Sequence, residues 1–181
     1  MKDVKGTKGT KPQDPKAEKR PMTREGFKRL AAEHDELLLV ERPKVLQGIQ
    51  IAAAEGDRSE NAEYIYGRKK LRELDKRLRY LGGLLKDVKL VDPETLSGDR
   101  VCFGSTVIVV DEDGKEKSYT IVGEGEAEHS LGGISYKSPM ARALHGKRVG
   151  DLVVVHRPIG EIELEIIGLK FGSRDWDASR P

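Results

Sequence analysis

The sequence predicts an α+β chain: an N-terminal antiparallel coiled-coil hairpin followed by a small β-rich domain. Three observations carry this reading. Leu71, Leu74, Leu78, Leu81, Leu85 and Val88 recur at strict three–four spacing, a heptad seam. The helical period stops across "VDPETLSGD", where proline, serine and glycine mark a linker. Beyond it, runs such as "STVIVV" and "EIELEIIGLK" follow the two-residue period of strands.

Composition fits such a shape. Hydrophobic residues make up 36% and charged residues 35% of the 181, so the core is modest beside the surface, as in an elongated hairpin. A net charge of +2 selects no partner class, and only the local sorting of charge is informative. One cysteine, Cys102, excludes an internal disulfide framework and fits a reducing compartment. His34, His129, His145 and His156 show no zinc-type spacing. No apolar run of about 18 residues is present, and no apolar stretch follows the charged start, so a cytoplasmic protein without membrane contact is expected.

Residues 1–21 carry seven basic and three acidic side chains with almost nothing apolar, and are expected to be a disordered basic tail. The hairpin is placed at 22–91. Thr23 reads as the N-cap of its first helix, with Phe27, Leu30, Leu37, Leu38, Val45, Ile49 and Ala52 at helical spacing. Pro43 interrupts that stripe and predicts a kink or a break into two helices. Tyr64 and Gly67 carry the second helix's seam back toward "EGDRS". About 30 residues per arm gives a rod of roughly 45 Å, with residues 55–63 as its far end.

The linker is placed at 92–99 and the β-rich domain at 100–171. "STVIVV", the turn "DEDG" and "KSYTIV" read as a hairpin, with "DLVVVH" and "EIELEIIGLK" as further strands. "SPMARALHG" reads as a short helix with Ser138 as N-cap, Pro139 at its first position and Gly146 as its stop. Residues 172–181 are expected to form a C-terminal tail.

Charge is sorted along the rod. The tip holds Glu55, Asp57, Glu60 and Glu63 against Arg58 alone. Behind it Arg68, Lys69, Lys70, Arg72, Lys76, Arg77 and Arg79 outweigh Glu73 and Asp75. Within that run Lys69, Arg72, Lys76 and Arg79 share a face away from the leucine seam. A solvated coiled-coil face explains isolated charges, whereas a basic shaft behind an acidic tip suits approach to a phosphate chain. Asp57 and Glu60 also admit two readings. Their spacing is that of a capping box, with Ser59 as a competing N-cap. Equally, their oxygens are hard ligands suited to Mg²⁺, although two carboxylates do not make a six-ligand site without help from another macromolecule.

The segments "TREGFKRLAAE", "ERPKV", "GDRSENAEY", "KKLRELDKRLRYL" and "SPMARALHGKRVGDLVVV" resemble, in order and spacing over roughly 22–171, the bacterial transcript-cleavage factors of the Gre family. The basic second helix and "GDRSENAEY" are more similar to its GreB branch than to GreA. The resemblance implies an FKBP-like C-terminal domain that docks on DNA-bound RNA polymerase, and a coiled coil that enters the secondary channel. There the nascent RNA 3′ end lies after backtracking. It further implies that Asp57 and Glu60, beside Asn61, help hold a second Mg²⁺ at the polymerase active site. That ion is shared with polymerase, and none is expected on the isolated protein. The polymerase itself cuts the RNA, so this chain is a stimulating factor and not an enzyme. Lys69, Arg72, Lys76 and Arg79 then meet the RNA, while Ser138, Pro139 and Met140 dock on the channel rim. A monomer is expected.

The chain departs from the family pattern at Lys137, where Asp or Asn is common, and in the two tails. Its few aromatic residues in the β-rich domain, Phe103, Tyr119, Tyr136 and Phe171, predict no aromatic-lined pocket and no prolyl isomerase activity. The competing readings are a channel-binding inhibitor of polymerase and a coiled-coil scaffold or RNA-binding protein that stimulates no cleavage.

Overall fold

The computed structural model describes residues 19–54, 61–127, 132–158 and 160–172, together with the backbone of 174–175. The first arm of the hairpin starts with α1 (Arg24–Glu36), passes through a π-helical turn (Leu37–Glu41) and continues as α2 (Arg42–Ala54). The second arm is α3 (Ala62–Leu85), against which both α1 and α2 pack.

Pro43 neither breaks the first arm nor starts a new one. A proline at this position has no N–H for the carbonyl four residues back, and its ring crowds that carbonyl. The π-helical turn just ahead resolves this, with the Arg42 N–H reaching back to the carbonyl of Leu37. The wider turn shifts the phase of the stripe. Leu38, expected in the seam, is therefore 42% exposed, and Leu39 is 69% exposed, while Leu37 stays half-buried.

Along α3 the seam is as the spacing predicts. Tyr64, Gly67, Leu71, Leu74 and Leu78 are half-buried, as two lone helices allow, and Leu81 is fully buried at the base. Val88 leaves the seam, because α3 ends at Leu85 and Asp87 turns the chain with φ 56°. Val88 then opens β2 (Val88–Val91), which pairs in parallel with β1 (Arg20–Thr23). Arg20 and Pro21, assigned by composition to the tail, are thus part of a strand. Met22 from β1 joins Leu30, Leu81 and Leu84 in a small core at the foot of the rod.

After a 3-10 turn at Pro93–Thr95 the chain enters a curled sheet. It contains β3 (Ser105–Asp111), β4 (Glu116–Val122), β5 (Gly133–Ser135), β6 (Leu152–Arg157) and β7 (Gly160–Phe171), with β8 (Arg174–Asp175) beside β7. The strand order is β5-β4-β3-β7-β6. β5, three residues long and parallel to β4, has too little pattern to read from sequence. The core is drawn from alternate residues of β3, β6 and β7, including Val107, Val109, Val153, Val155, Leu164 and Ile166. Over it lies α4 (Pro139–Leu144), capped by Ser138 and stopped before Gly146 at φ 76°, as its local signals predict. The expected α+β architecture is therefore observed.

At its tip-side end α3 is capped by Asn61, whose side chain accepts from the Tyr64 N–H at 3.1 Å. The same side chain donates to the Ala52 carbonyl at 2.9 Å and so ties the two arms together. Asn61→Ala should cost about 1 to 2 kcal/mol. Amide exchange should speed up in the first turn of α3 and leave the β-rich domain unchanged; uniform protection across the hairpin would contradict this role.

Candidate functional site

Among the described residues the chain offers two surfaces on one frame: the basic shaft of the rod and the α4 edge of the sheet. The tip acids Asp57 and Glu60, with Ser59, lie outside the described residues. What the structure decides is the cap: with Asn61 at the N-cap and Ala62 the first helical residue, neither Asp57 nor Ser59 caps α3. Among the described residues no group of three or more histidine, cysteine or acidic side chains could hold a metal.

On the shaft, Lys69, Arg72, Lys76 and Arg79 are all exposed, and among the described residues none is engaged in an ion pair. Neighbouring cations behave differently. Arg77 grips Glu33 of α1 with two bonds, 2.7 and 2.8 Å long, and stands over the Tyr80 ring. Arg42 reaches Asp75 at 2.9 Å. These pairs cross between the arms and fix the helix faces, so the four-residue stripe points into solvent. The hydrogen bond from Arg77 holds the Glu33 carboxyl below its ordinary range and raises Arg77 in turn.

The rod is joined to the sheet through Glu126. This side chain is only 5% exposed. Its carboxylate accepts from the Thr23 N–H at 3.0 Å, from the Thr23 hydroxyl, and from the Gly123 N–H at 2.7 Å. Thr23 is at once the last residue of β1, the N-cap of α1 and a donor to Glu126. The acid therefore sits at the positive end of the α1 dipole. Arg29, nearly two turns further along α1, donates to the Glu126 carbonyl at 2.7 Å. The fit is close: a Cβ on Gly26 would fall 1.7 Å from the carboxylate, and one on Gly123 would fall 2.1 Å from it.

At the α4 edge, Ser138 caps the helix by accepting from the Ala141 N–H at 3.1 Å, Pro139 is exposed, and Met140 packs partly on the core. Pro139 is thus the most accessible of the three expected docking residues. Lys137 pairs with Glu124 at 2.5 Å and lies over the Tyr136 ring, and that pairing raises its pKa. The expectation of no aromatic-lined pocket is corrected here. A cavity of about 330 Å³ beside α4 is lined by Pro21, Ile121, Ala141 and the edge-to-face pair Phe103 and Tyr136, whose centroids are 6.2 Å apart. The two rings come from separate loops, so no local pattern announced them.

Both halves match known families. Residues 20–90 match the description "Transcription elongation factor, N-terminal", and residues 96–171 match "Transcription elongation factor, GreA/GreB, C-term". The chain belongs to the GreA/GreB family of transcription elongation factors. Curated relatives carry both names. GreA of Nitratidesulfovibrio vulgaris (strain DP4) is 45% identical over 152 residues, which is 83% of this chain and 93% of the relative. GreB of Yersinia pestis is 44% identical over 160 residues, covering 88% and 92%. GreB of Pseudomonas aeruginosa is 49% identical over 140 residues, covering 77% and 83%. No helix among the described residues is long and apolar enough to cross a membrane.

Within this GreA/GreB frame, sequence reasoning missed Asn61 and Glu126. Asn61 carries a usable signal, a capping residue directly before the seam begins, but the adjacent acids compete with it. Glu126 has none, lying 103 residues from Thr23 in a glycine-rich loop.

Two outcomes follow. Glu126→Ala strands buried donors at about 1 to 3 kcal/mol each, and Gly26→Ala evicts the same carboxylate from the opposite side of the joint. Both should broaden the distance distribution between spin labels on α2 and β6, while Glu126→Gln broadens it less; unchanged distributions would remove Glu126 from the joint. Separately, the depressed Glu33 carboxyl adds stability above the ordinary glutamate range near pH 4.3, and that stability is lost as pH falls through the folded value. Glu33→Gln should flatten that acid limb in urea titrations; an unchanged limb would contradict it.

Proposed function

We propose that this GreA/GreB family member binds RNA polymerase, inserts its hairpin into the secondary channel and stimulates cleavage of backtracked nascent RNA. The observation that carries the reading is the exposed stripe Lys69, Arg72, Lys76 and Arg79, unpaired among the described residues and directed along a rod toward an acidic tip. Cations that make no ion pair within the fold are available to phosphates, and the cross-arm pairs of Arg42 and Arg77 keep that face outward. The density of basic residues on α3 supports a GreB-like member.

In this reading the sheet domain holds the polymerase rim through the α4 segment, with Pro139 exposed and Ser138 and Met140 set by capping and packing. The stripe binds the extruded 3′ segment of the RNA. Asp57 and Glu60 then face the reacting phosphodiester. Two carboxylates are too few for the six-oxygen sphere of Mg²⁺, so they suit an ion whose other ligands come from polymerase, and the isolated chain has little affinity for it. Such an ion supplies charge stabilisation for attacking and leaving oxygens. This chain contributes ligand oxygens, orientation of water and positioning of RNA, and it acts as a monomer. It leaves the bond cleavage itself to polymerase and is not an enzyme on its own.

A stalled, backtracked elongation complex tests this. The wild-type protein should shorten the transcript, and Asp57→Asn or Glu60→Gln should lower the cleavage rate by at least about 100-fold, as for loss of electrostatic catalysis, while binding persists. Reversing Lys69 and Lys76 to Glu should weaken the factor and flatten its salt dependence. Binding that slows elongation without cleavage would replace this reading with an inhibitor. Absence of any binding would leave a scaffold.

A further inference from the structure

Between the arms, just behind the tip, lies an open groove of about 530 Å³ that the stripe does not include. Its floor is apolar: Val45, Ile49 and Ala62, with glycines at 48 and 67. Tyr66 forms one wall and is 67% exposed. Lys70 and Glu63 stand on the rim.

Two features set this groove apart from incidental relief. A Cβ built on Gly48 meets nothing within 4 Å, so close packing does not require glycine there. Glycine inside a helix nevertheless costs about 1 kcal/mol relative to alanine. Its effect is to leave the groove open. The second feature is the charge beside Tyr66. Lys69 and Lys70 lie three and four residues further along α3, on neighbouring positions of the helix surface, and among the described residues neither is in an ion pair. An exposed ring with cations alongside is the usual platform for an unpaired nucleotide, where stacking does not depend on sequence. Glu63 at the rim disfavours a phosphate in the groove and can accept from the amino group of a base.

We propose that this groove receives one unpaired base of the RNA strand whose phosphates the stripe holds, with Tyr66 stacking on its face. The proposal rests on the RNA contact under the preceding heading. It adds a base-binding subsite that anchors the strand one step from the tip. Lys70 lines the groove and Lys69 of the stripe lies one turn from Tyr66, so the positive charge beside the exposed ring favours an RNA strand over a protein segment.

The test uses the full-length protein and a reconstituted backtracked complex with 2-aminopurine placed in turn at each extruded RNA position. Wild type should quench one position. Tyr66→Phe keeps the quenching, whereas Tyr66→Ala and Gly48→Leu, which fills the groove, should lose it and raise the half-saturating factor concentration about ten-fold, the equivalent of about 1.4 kcal/mol of stacking. Affinity for a complex with no extruded RNA should stay the same in all four proteins. Quenching unaltered in Tyr66→Ala, or an equal loss of affinity without extruded RNA, would overturn the proposal, the latter in favour of a polymerase segment. Wild type that quenches but cleaves nothing would sink the cleavage reading and spare the groove; cleavage without quenching does the reverse.

Discussion

The buried carboxylate of Glu126 is the contact on which the arrangement of the molecule depends. It is held by donors from both halves of the chain, Thr23 at the start of the rod and Gly123 in the sheet domain. A buried acid is costly unless its oxygens are bonded, and here the backbone, a hydroxyl and a helix dipole share that task. Because Thr23 also closes β1 and caps α1, moving the acid would disturb the pairing of β1 with β2, the first turn of the rod and the sheet loop together. The glycines at 26 and 123 follow from the same contact, since a side chain at either would occupy the carboxylate's space.

From this joint the rod's properties follow in sequence. The small core of Met22, Leu30, Leu81 and Leu84 secures its foot, where helices meet strands and burial is complete. Further out, apart from the buried Ala52, two helices alone bury their seam only by half, and charged pairs set the rotation of one arm against the other. Glu33 with Arg77 and Arg42 with Asp75 do so, and Asn61 closes the far end on Ala52. An exposed basic face is the consequence of a fixed rotation. If the arms could roll, the same cations would pair with acids of either helix.

How much of this is legible in the sequence depends on the distance over which each interaction acts. α4 reads in full, since Ser138, Pro139 and Gly146 are signals contained within a few residues. The α3 seam reads well for the same reason, except at Val88, where heptad spacing runs on past the real helix end at Leu85. Pro43 announces a disturbance but not its form: a π-helical turn depends on how the remaining carbonyls find donors, and it exposes Leu38 contrary to its place in the stripe. The β1–β2 pair and Glu126 are long-range, joining short segments with little pattern of their own. Periodicity places Lys69, Arg72, Lys76 and Arg79 on one exposed face of α3, whereas Tyr66 acquires meaning only once the groove beside it is seen.

The proposed function requires the rod to lie along extruded RNA with its basic stripe toward the strand. A photoreactive amino acid at position 72 of the full-length protein, bound to a backtracked complex carrying end-labelled RNA, measures this directly. A crosslink to the extruded RNA within a few nucleotides of its 3′ end, absent when the complex has not backtracked, is expected. A crosslink to polymerase alone, the same in both complexes, would contradict it.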